Sequence, residues 1–578
     1  MKYNKILSIA AATVLMCGCA DNAMYTEAPV EPGVTGQDGY TYLKSYVNRS
    51  ENPNFKLGAG IEASDVFAHY PAWTVAKQNF DEVTPGNLMK FNSVVKDDGT
   101  MDFRGVTDFV NEAEAAGLTV YGHTLAWHSQ QNKTYLNGIL ADKEIDADNA
   151  GNASVQEKPV TVKAYDFSGS ESLGGWGMDV APHNVNGVCE VGNNAAKSNP
   201  WDSQINCQPG DTYENGREYH LKMRVKGSAP FELSAGFQNP EGYKGCGDFP
   251  AISVTTEWKE VDVTCTVNGE NALRLLLNMG KFGGTLYFDY FEVYYMKPSN
   301  IISLTDEEKK DTLTWAMGKW IDGMMEACHG KVTAWDVVNE AISGVDKDND
   351  GFYDLQSATR KTINPEDEES NFYWQDYLGD LDYVRTAVAD ARKSFAAHEG
   401  DPSKLKLFIN DYNLESSWDN NHKLKSLIHW ISEWESDGVT KIDGIGTQMH
   451  VSYCVDETKQ KAAEAAVVNQ FKLLAATGKL IKISELDMGI LAADGKTKIL
   501  TADATEEQIA AQKAFYSFII KAYFENIPAA QRYGITQWSL TDSPEKSGWR
   551  PNEPIGLWDK DLNRKPTYAG FADGLAGK

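Results

Sequence analysis

Val-Thr-Ala-Trp-Asp-Val-Val-Asn-Glu-Ala, Val332–Ala341, is a β-branched apolar run that stops at an Asn-Glu pair. Such a run suits a strand buried on both faces, as in a parallel sheet covered by helices. In a closed barrel of parallel strands the chemistry sits at the C-terminal strand ends. Glu340 stands at such an end. A second carboxylate of the same kind lies far downstream, where Leu480–Ile490 reads Leu-Ile-Lys-Ile-Ser-Glu-Leu-Asp-Met-Gly-Ile. With regular alternation Ile481, Ile483, Glu485 and Asp487 share one face. Two carboxylates at two strand ends are what retaining sugar hydrolysis needs, one as proton donor and one as nucleophile, about 5–5.5 Å apart. A glutamate taken alone is ordinarily a solvated surface charge. Here each sits where an apolar strand stops.

The composition narrows the partners. The chain of 578 residues carries a formal charge of −28, which argues against nucleic acid and anionic lipid. A neutral polysaccharide suits an acidic chain with 15 Trp and 26 Tyr, since rings stack on sugar faces, although most of these rings are expected in the core. Lys2 and Lys5 flank the start of a short apolar run, Ile6–Met16, which reads as a secretory signal rather than a membrane span. Asp21–Gly39 is polar, rich in Pro and Gly, and reads as a tether. Cys189, Cys207, Cys246 and Cys265 cluster, and an oxidising compartment leaves three pairings open for them. Cys265 alternates with Val261, Val263 and Val267 and equally fits a buried apolar position. No Cys/His spacing suits zinc. His123 and His128 fall on opposite faces of a strand, which disfavours a metal there. No metal or cofactor is expected.

Further strands fit a barrel: Lys56–Ala63, a short one near Glu82, Leu118–Gln130, Leu405–Asn413, Gly444–Val451 and Gly534–Leu540. Thr84–Lys90, Thr-Pro-Gly-Asn-Leu-Met-Lys, suits a type II turn with Gly86 at the position of positive φ. Thr305 followed by Glu308 marks a helix start. Asp346–Gly351 (Asp-Lys-Asp-Asn-Asp-Gly) has the beginning of a calcium loop without its remainder and reads as a solvated acidic turn. Val160–Met296 is of another kind, with short alternating runs separated by Gly, Asn and Pro, which indicates a β-sandwich. The expected fold is α/β, a TIM (β/α)8 barrel with an all-β, jelly-roll-like sandwich inserted after barrel strand 3. The expected organisation is a signal over 1–19, a linker over 20–39, the barrel's first part over 40–137, the inserted module with its linkers over 138–298, and the barrel's second part over 299–578. Because βα loops of a barrel open on the catalytic face, the insertion is expected beside the cleft.

Gly478–Met488 and Trp335–Ala341 resemble the nucleophile and acid/base segments of glycoside hydrolase family 10, the endo-β-1,4-xylanases. The resemblance implies a retaining endo-xylanase with Glu485 as nucleophile and Glu340 as acid/base, acting on xylan or arabinoxylan. It implies substrate contacts from Asn87, Lys90, His123, Trp127, Gln130, Tyr412, Gln448, His450, Trp538 and Trp549, with His128 beside them and Asp487 holding His450. Asn339 is expected to bond the sugar 2-hydroxyl, which requires an irregular backbone, since Asn339 and Glu340 are adjacent. Gly86 stands where the family has Glu, so restoring a carboxylate there is expected to tighten the neighbouring subsite. The Asn199–Gln204 motif, Asn-Pro-Trp-Asp-Ser-Gln, resembles carbohydrate-binding modules of family 4; Trp176, Trp201, Gln204, Gln238 and Phe249 are the candidate sugar contacts, and Trp258 is expected in the core. Leu-Met-Cys-Gly-Cys-Ala resembles a lipoprotein cleavage site with Cys19 lipidated, Cys17 being the alternative. That implies an outer-membrane location through the lipid alone, and the chain is expected to be monomeric. The rival readings are a cellulase or mannanase on the same fold, and a non-catalytic glycan-capture lipoprotein.

Overall fold

The computed structural model describes residues 39–144, 156–208, 210, 212–299 and 301–578. The signal segment, Cys17, Cys19 and the tether up to residue 38 lie outside them. The chain divides into two compact units: residues up to Ala141 together with Leu304–Lys578, and Asp142–Ser303.

The first unit is a closed parallel barrel. Its strands are β1 (Lys56–Ile61), β2 (Glu82–Pro85), β3 (Thr119–Ala126), β4 (Ala334–Asn339), β5 (Lys406–Asp411), β6, β7 (Leu480–Leu491) and β8 (Arg532–Gln537). β6 is broken into Gly444–Thr447 and His450–Cys454 around Met449, whose φ is 58°. Neighbouring strands pair in order and β8 returns to β1, so no edge is left open. Helices begin where the sequence supplies caps. Thr305 Oγ1 accepts from Glu308 N while Glu308 Oε2 accepts from Thr305 N, which starts Asp306–Cys328. Thr505 and Gln508 do the same for Glu506–Asn526.

Two barrel strands depart from simple alternation. In β4 the register slips between Asp336 and Val338 against both neighbours. Trp335, Val337 and Val338 pack outward in the main hydrophobic core, whereas Asp336 bonds Tyr121 and His123 within the barrel. In β7 the register slips against β8 between Ile481 and Lys482 and again between Ile483 and Leu486. Ile481, Ile483, Leu486 and Met488 belong to the outer core, while Lys482, Ser484, Glu485 and Asp487 make polar contacts on the other side. The expectation that Ile481 and Ile483 share a face with Glu485 and Asp487 is therefore wrong. The extra residue of a bulge reverses the alternation and turns the carboxylates inward.

The barrel interior is polar as well as apolar. Lys482 Nζ lies 2.8 Å from Glu82 Oε1, with both side chains fully buried. Tyr533 donates to the other oxygen of Glu82 at 2.9 Å, and the Lys482 ammonium stands 3.8 Å from the Tyr121 ring centroid. Trp73, Trp320, Trp335, Trp374, Trp434 and Trp558 are fully buried, so much of the aromatic content serves packing.

The second unit is an antiparallel β-sandwich. One sheet orders Lys259–Thr266, Glu218–Gly227, Gly284–Ser299, Val188–Asn193 and Val180–Val185, with Gln156–Tyr165 also on Gly284–Ser299. The other orders Lys244–Asp248, Phe231–Asn239, Arg274–Asn278, Gln204–Cys207 and Gly174–Trp176, with Ile252–Val254 on Phe231–Asn239. Leu221, Met223 and Phe291 from the first sheet share one core with Leu233, Phe237 and Leu275 from the second. Its two ends pair with each other, Lys143 with Ile302 and Glu144 with Ile301. All six cysteines of the described residues are buried and free, so none of the open pairings forms. Among the described residues no helix is long and apolar enough to cross a membrane.

Candidate active site

Glu340 follows directly on β4 with φ 54°, a left-handed conformation uncommon for a non-glycine residue. Its backbone N donates to Asn410 O, and Gln356 Nε2 donates to its carbonyl, so the turn is fixed from two sides. This irregular backbone brings Asn339 and Glu340 to the same cleft. Trp127 Nε1 donates to Glu340 Oε2 at 2.9 Å, and Gln448 Nε2 donates to Oε1 at 2.8 Å.

Asn410, at the end of β5, ties the two carboxylates together. Its Nδ2 donates to Asn339 Oδ1 and to Glu485 Oε1, both at 2.9 Å, and its Oδ1 accepts from Ser484. Gln448 also reaches Asn339 Oδ1 at 3.4 Å. Glu340, Gln448, Asn339, Asn410 and Glu485 thus form one continuous chain of bonds. Asn339 Nδ2 is buried with no partner among the described residues. A buried amide donor left unpaired is costly, and this one is placed to meet a ligand oxygen.

Behind Glu485 stands a charged stack. His450 Nε2 lies 3.3 Å from Glu485 Oε2, and its Nδ1 lies 3.1 Å from Asp487 Oδ1. Trp549 Nε1 and Arg550 Nη1 each donate to Asp487 at 2.8 Å. Burial opposes the charge on His450, but Asp487 and Glu485 on either side override it and push its pKa up to about 10. His450 is therefore a cation at neutral pH. Burial would likewise raise Glu485, yet the bond from His450, the charges of His123 and His450, and the Asn410 amide hold its carboxyl below the usual range. Glu340 is displaced oppositely. Burial raises it, and the charges of Asp411 and Glu485 add to the effect against the Gln448 bond. The surroundings of Glu485 favour its ionised form and those of Glu340 favour its protonated form.

The remaining sequence candidates fall into place around this pair. Lys90 Nζ is 5.1 Å from the Trp127 ring centroid and donates to Asn87 Oδ1 at 3.3 Å. The His123 ring lies 5.6 Å from Trp538 and bonds Asp336 at 2.9 Å. Trp538, Trp549, Gln130, Asn87 and Lys90 line one open cleft. Tyr412 covers the Lys423 ammonium at 3.3 Å, and Lys423 pairs with Asp411 at 2.7 Å. His128 stacks on Tyr373 at 5.3 Å, and burial, then Lys423, lowers its pKa to about 3; it serves as a neutral packing residue there. Gly86 is not at positive φ. Pro85 ends β2 opposite Ile61 and the chain bends only from Gly86 on, so the expected type II turn centred on Pro85 and Gly86 does not form.

Sequence reasoning missed Asn410, Asp336 and Arg550. Asn410 precedes the noticed Tyr412, but its role depends on a pairing across β4, β5 and β7. Asp346, Asp348 and Asp350 bring carboxylate oxygens within 4.8 Å of one another on the loop after β4. Bonds such as Gly351 N to Asp346 Oδ2, 3.1 Å, close that turn on itself.

In the sandwich, Trp176 pairs across to Gln204, Gln204 to Asn278, and Gln238 to Arg274, so these side chains share the outer face of one sheet. Trp176 and Trp201 are exposed, Trp201 in the turn just before Gln204. Arg274, unremarked in the sequence, donates to Gln238 Oε1 at 3.1 Å and lies 5.0 Å from the Trp176 ring and 5.8 Å from Tyr243. Phe249 is a correction. Only 6% exposed and 5.1 Å from Phe237, it packs in the sandwich core rather than standing on the outer face. Trp258 is the converse, a half-buried surface ring beside Arg224 and Lys226 rather than a core residue.

The family model described as glycosyl hydrolase family 10 matches residues 47–157 and 295–574. An endo-β-1,4-xylanase, Xyn10C of Cellvibrio japonicus, is 31% identical over 263 residues, which is 43% of this chain and 37% of that protein. Endo-1,4-β-xylanase 2 of Claviceps purpurea is 35% identical over 256 residues, 44% of this chain and 58% of its own. The chain thus spans less than two thirds of these relatives' length. A solved mutant of xylanase Xyn10A from Cellvibrio japonicus superposes with a TM-score of 0.51 at 18% identity, covering 93% of this chain and all (100%) of that one.

Proposed function

The chain belongs to glycosyl hydrolase family 10, and on that premise we propose that it is an endo-acting retaining xylanase that cuts β-1,4-xylosidic bonds in xylan or arabinoxylan. The observation that carries this reading is the bonded chain from Glu340 to Glu485, whose two carboxyls are shifted in opposite directions from the ordinary carboxylate range. Glu340, protonated, gives its proton to the glycosidic oxygen as that C–O bond breaks. Glu485, ionised, attacks the anomeric carbon and forms an ester to the sugar. Glu340, now a carboxylate, takes a proton from water, whose oxygen displaces Glu485 and restores both groups. Asn339 Nδ2 supplies a donor to the 2-hydroxyl. Reducing sugar released from xylan, but not from carboxymethylcellulose or mannan, is the expected result. Release from either of the latter alone moves the protein to another β-glycanase class, and release from none favours glycan capture without catalysis.

The pKa displacements set a pH profile. Activity needs Glu485 ionised, so it is expected to fall as pH drops through a value below the ordinary carboxylate range. It needs Glu340 protonated, so it falls again as pH rises through a value above that range. Because Glu485's charge contributes to raising Glu340, Glu485→Gln is expected to lower the Glu340 pKa, read by carbon NMR of the labelled carboxyl. An unchanged or higher value would contradict the coupling.

We also propose that the sandwich is a carbohydrate-binding module whose face around Trp176, Gln204, Gln238 and Arg274 holds the polysaccharide. Since its ends pair with each other, replacing Asp142–Ser303 by a short Gly/Ser loop is expected to leave a folded barrel. Turnover of short xylo-oligosaccharides should change little, while activity on insoluble xylan falls, because a second site raises the local concentration of long chains only. No loss on polymer, with full-length protein unretarded in a xylan affinity gel, would make the unit a spacer. The Cys19 motif favours an outer-membrane lipoprotein; Cys19→Ala is expected to move the protein from the membrane to the soluble fraction.

A further inference from the structure

β1 and β2 end side by side. Ile61 pairs with Pro85, and Gly86 N donates to Ile61 O at 3.0 Å. The residue after Ile61 is Glu62. A methyl group built on Gly86 would lie 2.5 Å from Glu62 Oε1 and 3.2 Å from its Cδ. The space that a side chain at 86 would use is therefore filled by the Glu62 carboxylate, reaching in from the neighbouring strand. Gly86 is not glycine for the sake of its backbone, since its φ lies outside the left-handed region.

The carboxylate is also wired to the cleft. Asn87 Nδ2 donates to Glu62 Oε1 at 3.4 Å, and Lys90 Nζ donates to Asn87 Oδ1 at 3.3 Å. Lys90 lies against Trp127, and Trp127 donates to Glu340. Glu62 is thus the far member of a row that begins at the reacting carboxyls. It is exposed and lines the cleft with Trp538 and Trp549. A carboxylate accepts only, and sugar hydroxyls are the donors that such a position meets.

We propose that Glu62 is a substrate-positioning residue: it accepts a hydroxyl from the sugar next to the one held between Glu340 and Glu485, in place of a carboxylate on residue 86. The proposal rests on the reading of this cleft as a glycan site. It reverses the expectation drawn from sequence for Gly86→Glu, because that substitution now sets a second carboxylate in occupied space.

The test is titration calorimetry of xylotriose, cellotriose and mannotriose into the full-length Glu485→Gln protein, with circular dichroism as the folding control. Glu62→Ala in that background is expected to weaken binding about tenfold to hundredfold, the range for a hydrogen bond to a charged group. Gly86→Glu alone is expected to weaken it as well. The pair Glu62→Ala/Gly86→Glu is expected to recover affinity to within a few-fold of the parent, a rescue that a merely structural role for Glu62 would not give. Unchanged affinity in Glu62→Ala, or tighter binding in Gly86→Glu with Glu62 present, overturns the proposal. If xylotriose fails to bind while another trisaccharide binds, the xylan reading falls, and the Glu62 contrast is read on the ligand that does bind. Binding of none overturns both.

Discussion

Glu485→Ala is expected to abolish turnover of xylan, and Glu340→Ala to reduce it by about 10²–10⁴-fold, the usual worth of a positioned general acid. The difference follows from the two steps. Without Glu485 no covalent intermediate forms. Without Glu340 the intermediate still forms from any substrate whose leaving group needs no proton. Glu340→Ala should therefore still cleave an aryl xylobioside, and added azide should give the β-xylosyl azide, because it attacks the intermediate from the face that water uses. Azide with Glu485→Ala should give the α-product by attacking from the vacated nucleophile's side. Product stereochemistry, read by proton NMR, decides the assignment; reversed products, or normal xylan activity in either variant, would falsify it. The surroundings argue for these roles. His450, a cation wedged between Asp487 and Glu485, stabilises the ionised form of Glu485.

Lys482→Met is expected to cost about 3–5 kcal/mol of barrel stability, the loss that follows when one partner of a buried ion pair is removed. Lys482 and Glu82 are 2.8 Å apart with both side chains shut off from solvent. Among the described residues, the variant leaves the Glu82 charge with the Tyr533 hydroxyl at 2.9 Å and the Thr119 hydroxyl at 3.3 Å. Lys482→Met/Glu82→Gln should recover most of the loss, because burying two neutral groups avoids the stranded charge. Scanning calorimetry of the full chain reads this in the transition that persists when Asp142–Ser303 is deleted. A single variant within about 1 kcal/mol of the parent would show that the pair does not hold the interior together. Activity should fall too, since the ammonium rests on Tyr121, which donates to Asp336, which in turn orients His123.

Much of this was legible in the sequence because it is local. An apolar β-branched run that stops at a carboxylate identifies both the strand and the strand end, so β4 with Glu340 and β7 with Glu485 could be read from ten and eleven residues respectively. Turn-rich alternating runs marked the sandwich in the same way, and Thr305 with Glu308 marked a helix start. What only the tertiary structure decided is which way side chains point and what fills the space between strands. Alternation assigned Glu485 to the face of Ile481 and Ile483; the bulge that reverses it arises from the pairing of β7 with β8. Lys482, within an otherwise apolar run, reads as nothing until Glu82, four hundred residues away in sequence (|i−j| = 400), is placed beside it. Phe249 and Trp258 exchanged core and surface because burial depends on the facing sheet. The glycine at 86 read as a lost carboxylate, since the sequence cannot show that Glu62 occupies the same space from the next strand. Strand identity is a property of neighbouring residues in the chain; the chemistry of a barrel mouth is a property of residues brought together from strands that share no sequence.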